Sequence, residues 1–158
     1  MIAAEIVLFV GASFLIKPKV IEITPTQVSK TPTNQNQIII EEGEIAIILV
    51  GDIMLDRGVE YMTEKYGGGD FRFPFLKIAD EFQKADIIFG NLEGPISDKG
   101  TKVGSVYSFR ANPKAMEGLI YAGFNILSLA NNHALDYGRQ ALEDCLTKLS
   151  NAGIDYVG

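Results

Sequence analysis

The stretch "IAIILVGDIMLD", Ile45 to Asp56, decides how the rest of the chain is read. Its first six residues are apolar and mostly β-branched, with no polar alternation. Such a run suits a strand of a parallel sheet covered on both faces. It turns polar at Gly51-Asp52 and again at Asp56. Two later stretches repeat the pattern. "DIIFGNLEGPIS" (Asp86–Ser97) places Asn91 and Glu93 behind a short apolar run. "FNILSLANNHALDYG" (Phe124–Gly138) places Asn131, Asn132, His133 and Asp136 behind another, and His133 is the only histidine in the chain.

Helical segments separate these runs. "RGVEYMTEKY" (Arg57–Tyr66) stops at three glycines, Gly67 to Gly69. "PFLKIADEFQKA" (Pro74–Ala85) has proline in its first turn and apolar residues at helical spacing. "NPKAMEGLIYAG" opens with Asn112 as N-cap and Pro113 at the first helical position, and closes at Gly123. "GRQALEDCLTKLSNAG" (Gly138–Gly153) leads into a fourth strand, "IDYVG". Strand, polar loop and helix in repetition predict an α/β fold with a parallel sheet. In such sheets ligands sit beyond the carboxyl ends of the strands, where all three polar clusters fall.

The chain has 158 residues, 47% of them hydrophobic, and a net charge of -6. That is room for one domain with a sizeable core. The acidic balance, without a basic stripe interleaved with aromatics, argues against a nucleic-acid partner. The single cysteine, Cys145, allows no intrachain disulfide, and its helical surroundings place it on the core side. Residues 1–19 hold an apolar run, "IAAEIVLFVGASFLI", expected to be a membrane anchor or uncleaved signal segment, with a buried strand or helix of the domain as the alternative. Residues 20–43 are rich in Thr, Pro, Asn and Gln and are expected to form a polar linker. The folded domain is expected over residues 44–158.

Clustered carboxylates, amides and an imidazole suit a divalent metal. Two such ions could clamp a phosphate ester, and a histidine could protonate its leaving oxygen. Each residue alone also has a plainer use. Asp52 could close an Asx turn, Glu93 could be merely solvated, and Asn131 and Asn132 could supply left-handed turns. His133 could be structural, Asp136 could cap the helix near Gly138, and Arg57 could be a solvated charge at a helix start. The coincidence at three successive strand ends favours a shared site. No glycine-rich phosphate loop accompanies it, because "YGGGDF" has neither the spacing nor a preceding strand.

Taken together, "LVGDIMLDRGV", "ADIIFGNLEGPIS", "YSFRANPKAMEGLIYAGFNILSLANNHALDYGRQAL" and "AGIDYVG" resemble the CapA family. These are bacterial capsule and poly-γ-glutamate synthesis proteins whose domain is similar to calcineurin-like metallophosphoesterases. The resemblance runs from about Glu44 to Gly158. It implies a four-layer α/β/β/α sandwich, of which this chain would hold about the first half. It implies Asp52 as a metal ligand, with Met54 where a histidine is usual. A bridging ligand falls at Asn91 or Glu93, Asn132 would be a further ligand, and His133 the acid. Arg57, Asn131 and Asp136 would support the site or touch substrate. The implied cofactors are divalent ions, two in a complete domain (Mn, Zn, Fe or Mg). The implied partners are a cell-envelope polymer or its synthesis machinery, at a membrane-tethered, extracytoplasmic location. Further histidine motifs of the family have no counterpart here, so this polypeptide alone is expected to be weakly active or inactive. The competing expectation is a non-catalytic extracytoplasmic binding or assembly module with a degenerate metal site.

Overall fold

The computed structural model describes residues 45–104 and 106–158, together with the backbone of two strands, β1 (Ala3–Phe9) and β2 (Lys19–Glu22). The remaining elements are β3 (Ile47–Ile53), α1 (Arg57–Gly67), α2 (Ala79–Phe82), β4 (Ile87–Leu92), α3 (Ala115–Ala122), β5 (Ile126–Ser128), α4 (Gly138–Asn151) and β6 (Asp155–Val157). Among the described residues the strands form one sheet, ordered β2-β1-β3-β4-β5-β6. β1 and β2 pair antiparallel, and every other neighbouring pair is parallel. The fold is α/β, as the alternating pattern predicts.

From β3 to β6 each strand lies beside its predecessor in sequence. Right-handed crossovers in one direction put every connecting helix on the same face of a sheet. Burial agrees. Ile48, Ile53, Ile88, Leu92 and Leu127 point into the core, where α3 and α4 supply Met116, Leu119, Cys145 and Leu149. Ile47, Leu49, Ile87, Phe89 and Ile126 point the other way and are only half-buried. A strand covered by helices on both faces is therefore not seen among the described residues, where helices cover one face. Of the four layers of a sandwich, the described residues supply a sheet and its helices.

Turn chemistry ends the helices where the glycines predict. Gly68 caps α1 at φ 63° and Gly123 caps α3 at φ 86°, left-handed angles that cost glycine nothing. The expected helix over Pro74–Ala85 is broken instead into a 3₁₀ turn, Phe73–Phe75, and the short α2. The break lets Phe75 and Phe82 both reach Phe124, edge-on, at 5.9 and 5.6 Å between ring centres. Aromatic packing of this kind outweighs the weak local preference for one continuous helix. Cys145 is buried and its Sγ accepts the Ile96 N–H at 3.3 Å. Burial raises its thiol pKa, which suits a core residue rather than a nucleophile.

The N-terminal apolar run contributes β1, parallel to β3. A strand in this sheet and a membrane helix make competing claims on residues 3–9. The rest of the run, and the linker beyond β2, lie outside the described residues. Among the described residues no helix is long and apolar enough to cross a membrane.

Candidate functional site

Register brings the polar residues together. β3 and β4 pair Leu49 with Phe89, but the next matched pair is Asp52 with Asn91. Three residues of β3 therefore span two of β4, a β-bulge. Side chains alternate along a strand, so without the extra residue Asp52 would face the helices. The bulge turns it onto the open face, beside Asn91 and one strand away from Ser128. Gly90 makes room for the irregularity: a Cβ there would lie 2.5 Å from Ile53 Cδ1 and 2.8 Å from Val50 Cγ2.

A hydrogen-bond chain runs across the three strand ends. Asn91 Nδ2 donates to Asp52 Oδ1 at 2.7 Å. Asn131 Nδ2 donates to Asn91 Oδ1 at 3.0 Å and to the Leu92 carbonyl at 2.9 Å. Asn131 Oδ1 accepts the His133 N–H at 2.9 Å, so one amide joins the second and third clusters. The His133 ring lies between two carboxylates, with Nδ1 2.7 Å from Asp136 Oδ2 and Nε2 3.5 Å from Glu93 Oε1. Asp136 Oδ2 also accepts the Phe109 N–H at 2.8 Å. A carboxylate oxygen already serving as acceptor fixes the proton on Nδ1, leaving Nε2 as the ring atom turned toward Glu93.

The residues predicted from the sequence divide accordingly. Asp52, Asn91, Glu93, Asn131, His133 and Asp136 form one constellation. Asp136 is not the cap of α4: the residue preceding that helix is Tyr137, which makes no side-chain cap. Asn132 stands outside the network, exposed, on the wall of a cavity of about 480 Å³ shared with Leu129, Leu135, Leu142 and Leu146. Met54 lines a separate apolar recess with Gly58, Val59, Met62 and Phe73. Arg57 follows Asp56, whose carboxylate caps α1 by accepting the Arg57 N–H. Its φ of 51° is unusual for a residue with a side chain. Its guanidinium lies over the Phe109 ring, 4.6 Å from its centre, and meets the site through that ring.

Phe109 is the functional-site residue that sequence reasoning missed. It sits in the loop segment "YSFRAN", without strand or helix periodicity. The only signal there is an aromatic residue beside an arginine. Arg110, its neighbour, donates its backbone N–H to Asp56 Oδ2 at 2.9 Å. The loop thereby touches the first and third strand-end clusters.

The donors do not match, by themselves, the metal that the resemblance implies. Among the described residues no three carboxylate, imidazole or thiolate groups converge to hold an ion. Asn91 spends both ends of its amide within the network. These residues by themselves do not make a metal shell. What they do form is a hydrogen-bonded line, from Asp52 through two amides to the backbone N–H of His133, whose ring is held by Asp136.

Comparison with known proteins identifies the family. The family model described as bacterial capsule synthesis protein PGA_cap matches residues 46–158. The capsule biosynthesis protein CapA of Bacillus anthracis is 31% identical over 122 residues, covering 75% of this chain and 29% of that protein. The PGA biosynthesis protein CapA of Bacillus subtilis (strain 168) is 34% identical over 111 residues, covering 69% and 28%. A probable polyglutamine synthesis accessory protein of Mycobacterium tuberculosis (strain H37Rv) is 26% identical over 145 residues, covering 72% and 38%. The chain thus spans less than a third of the length of the two Bacillus relatives. With its strand-end motifs in order on an α/β sheet, the chain belongs to the CapA-type family of bacterial capsule synthesis proteins.

Proposed function

We propose that this chain serves the synthesis or export of a capsule polymer of the poly-γ-glutamate kind, and that its strand-end network is the acid–base part of a phosphoester-cleaving site. The observation that carries the chemistry is the His133 ring, pinned between Asp136 at 2.7 Å and Glu93 at 3.5 Å. Asp136 orients the imidazole and would stabilise its cation. Nε2 is the atom that would hand a proton to a leaving oxygen. Divalent ions would supply charge stabilisation, with Asp52, Asn91, Glu93 and Asn132 as the ligands on offer. These donors do not close a shell by themselves, and the proton transfer rests on His133 and Asp136.

A polypeptide extended to the length of the Bacillus relatives tests the reading. Titration with Mn²⁺ or Zn²⁺ should show tight binding, and phosphomonoester or phosphodiester turnover should follow. His133→Ala should lower that turnover by about 10²-fold or more, the range expected for a lost general acid. A second reading is a non-catalytic binding or assembly module for a cell-envelope polymer. The closed Asp52–Asn91–Asn131 chain favours it, since amides satisfied by each other are not waiting for a ligand. Polymer binding without metal uptake or turnover would establish the module and sink the enzyme.

A further inference from the structure

We infer that Phe109 is the positioning residue of the strand-end site, holding the His133 imidazole in one orientation and one tautomer. Three contacts carry the inference. The Phe109 ring packs against the His133 ring, with centres 4.2 Å apart and planes inclined by 40°. The Phe109 N–H donates to the same Asp136 oxygen that holds His133 Nδ1. The Phe109 ring also carries the Arg57 guanidinium, which donates in turn to the Val106 carbonyl at 2.9 Å.

Phe109 itself has little freedom. Gly94 sits directly against it at φ 92°, and a Cβ at Gly94 would lie 2.9 Å from Phe109 Cβ and 3.0 Å from its carbonyl oxygen. On either side the loop is tied to its neighbours. Arg110 N–H holds Asp56, and Ala111 bridges to Ile96. The segment thus fastens the loops behind β3, β4 and β5 to one aromatic ring. A ring fixed this firmly removes rotamer freedom from the imidazole that it covers. The strained backbone at Arg57 fits the same design, since it is where the first loop delivers a cation onto that ring.

The catalytic consequence rests on the phosphoester-cleaving reading, but the positioning does not. Proton–nitrogen correlation spectra of the His133 ring in this chain separate the two. The unmodified protein should show a single Nδ1–H tautomer, with ring protons shifted upfield of free imidazole by the Phe109 ring current. Phe109→Leu and Phe109→Met should abolish that shift and, by freeing the ring to tilt away from Asp136, mix the tautomers, whereas Phe109→Tyr should keep both as they are. An unshifted or tautomerically mixed His133 in the unmodified protein overturns the proposal, even if both truncations fail to fold. So does a folded Leu or Met variant whose His133 signals do not change. In the extended polypeptide, Phe109→Leu should lower kcat about tenfold with KM nearly unchanged, as misplacement of a reacting group does. Absence of turnover in any variant would defeat the enzymatic reading and leave the spectroscopic result to decide the positioning.

Discussion

At the scale of single residues, the most heavily partnered buried carboxylate is not in the candidate site. Asp144 on α4 accepts the Ser97 hydroxyl at 2.6 Å and pairs with Lys99 at 2.8 Å and with Lys148. It fastens the loop behind β4 to the helix behind β5. Burial pushes its pKa up, but the hydrogen bonds from Lys148, Lys99 and Ser97 together outweigh that and hold it well below the usual carboxylate range. Asp144→Ala should cost about 1–3 kcal/mol, because it leaves the buried Ser97 hydroxyl without its acceptor and unties Lys99 and Lys148. A folded-state pKa below the unfolded one adds stability above the unfolded value and loses it as pH falls through the folded one. Urea midpoints of the two proteins should therefore differ by a constant amount from pH 8 to about 5, and converge only below about 4. A gap that closes near neutrality would exclude this role. The partnership leaves no trace in spacing, since 47 residues separate Ser97 from Asp144. Asp52, Asn91 and His133 were legible because each follows an apolar run. Asn131 was legible as a residue, but not as the amide that joins two clusters, because that depends on the distance between strands.

At the scale of elements, α3 carries a glycine where helix propensity would choose alanine. A Cβ on Gly118 would stand 2.4 Å from the Phe71 carbonyl oxygen and 2.9 Å from Phe75 Cε2. In an open helix Gly→Ala gains about 1 kcal/mol. Here the obstacle is backbone, which cannot swing aside, and overpacking costs about 1–3 kcal/mol. Gly118→Ala should therefore lower the unfolding midpoint, with the denaturant slope unchanged. A higher midpoint would mean that the Phe71–Phe75 turn yields. That turn also marks where local pattern stopped being a guide. The helices ending at Gly68 and Gly123 and the parallel strands of an α/β sheet were readable from punctuation and apolar runs. The break between Phe75 and Ala79 was not, because its cause is a distant ring, Phe124. Nor was the β3 bulge, which exists only relative to β4 and yet decides which way Asp52 points.

At the scale of the whole molecule, one face of the sheet carries no helix among the described residues. Leu49 and Phe89 are directly paired there, flanked by Ile47, Ile87 and Ile126, all half-buried. On the edge strand β6, Tyr156 and Val157 are 39% and 51% exposed. Parallel sheets are normally covered on both faces, and an uncovered apolar face with a free edge invites association. This chain corresponds to 29% and 28% of the two Bacillus relatives, so their additional length is an available cover. Two outcomes follow for the chain alone. It should bind a hydrophobic dye such as ANS, and its sedimentation coefficient should rise with concentration. Replacing the Leu49–Phe89 pair by Leu49→Lys with Phe89→Glu keeps a favourable cross-strand pair while removing the apolar centre. That double variant should sediment as a monomer with unchanged far-ultraviolet circular dichroism and weak dye binding. The extended polypeptide should behave like the double variant without any substitution, because its own residues would occupy the face. If the chain alone is already monomeric and dark to the dye, the face is covered from within, and the register that presents Asp52 beside Asn91 would be shielded by the same segment.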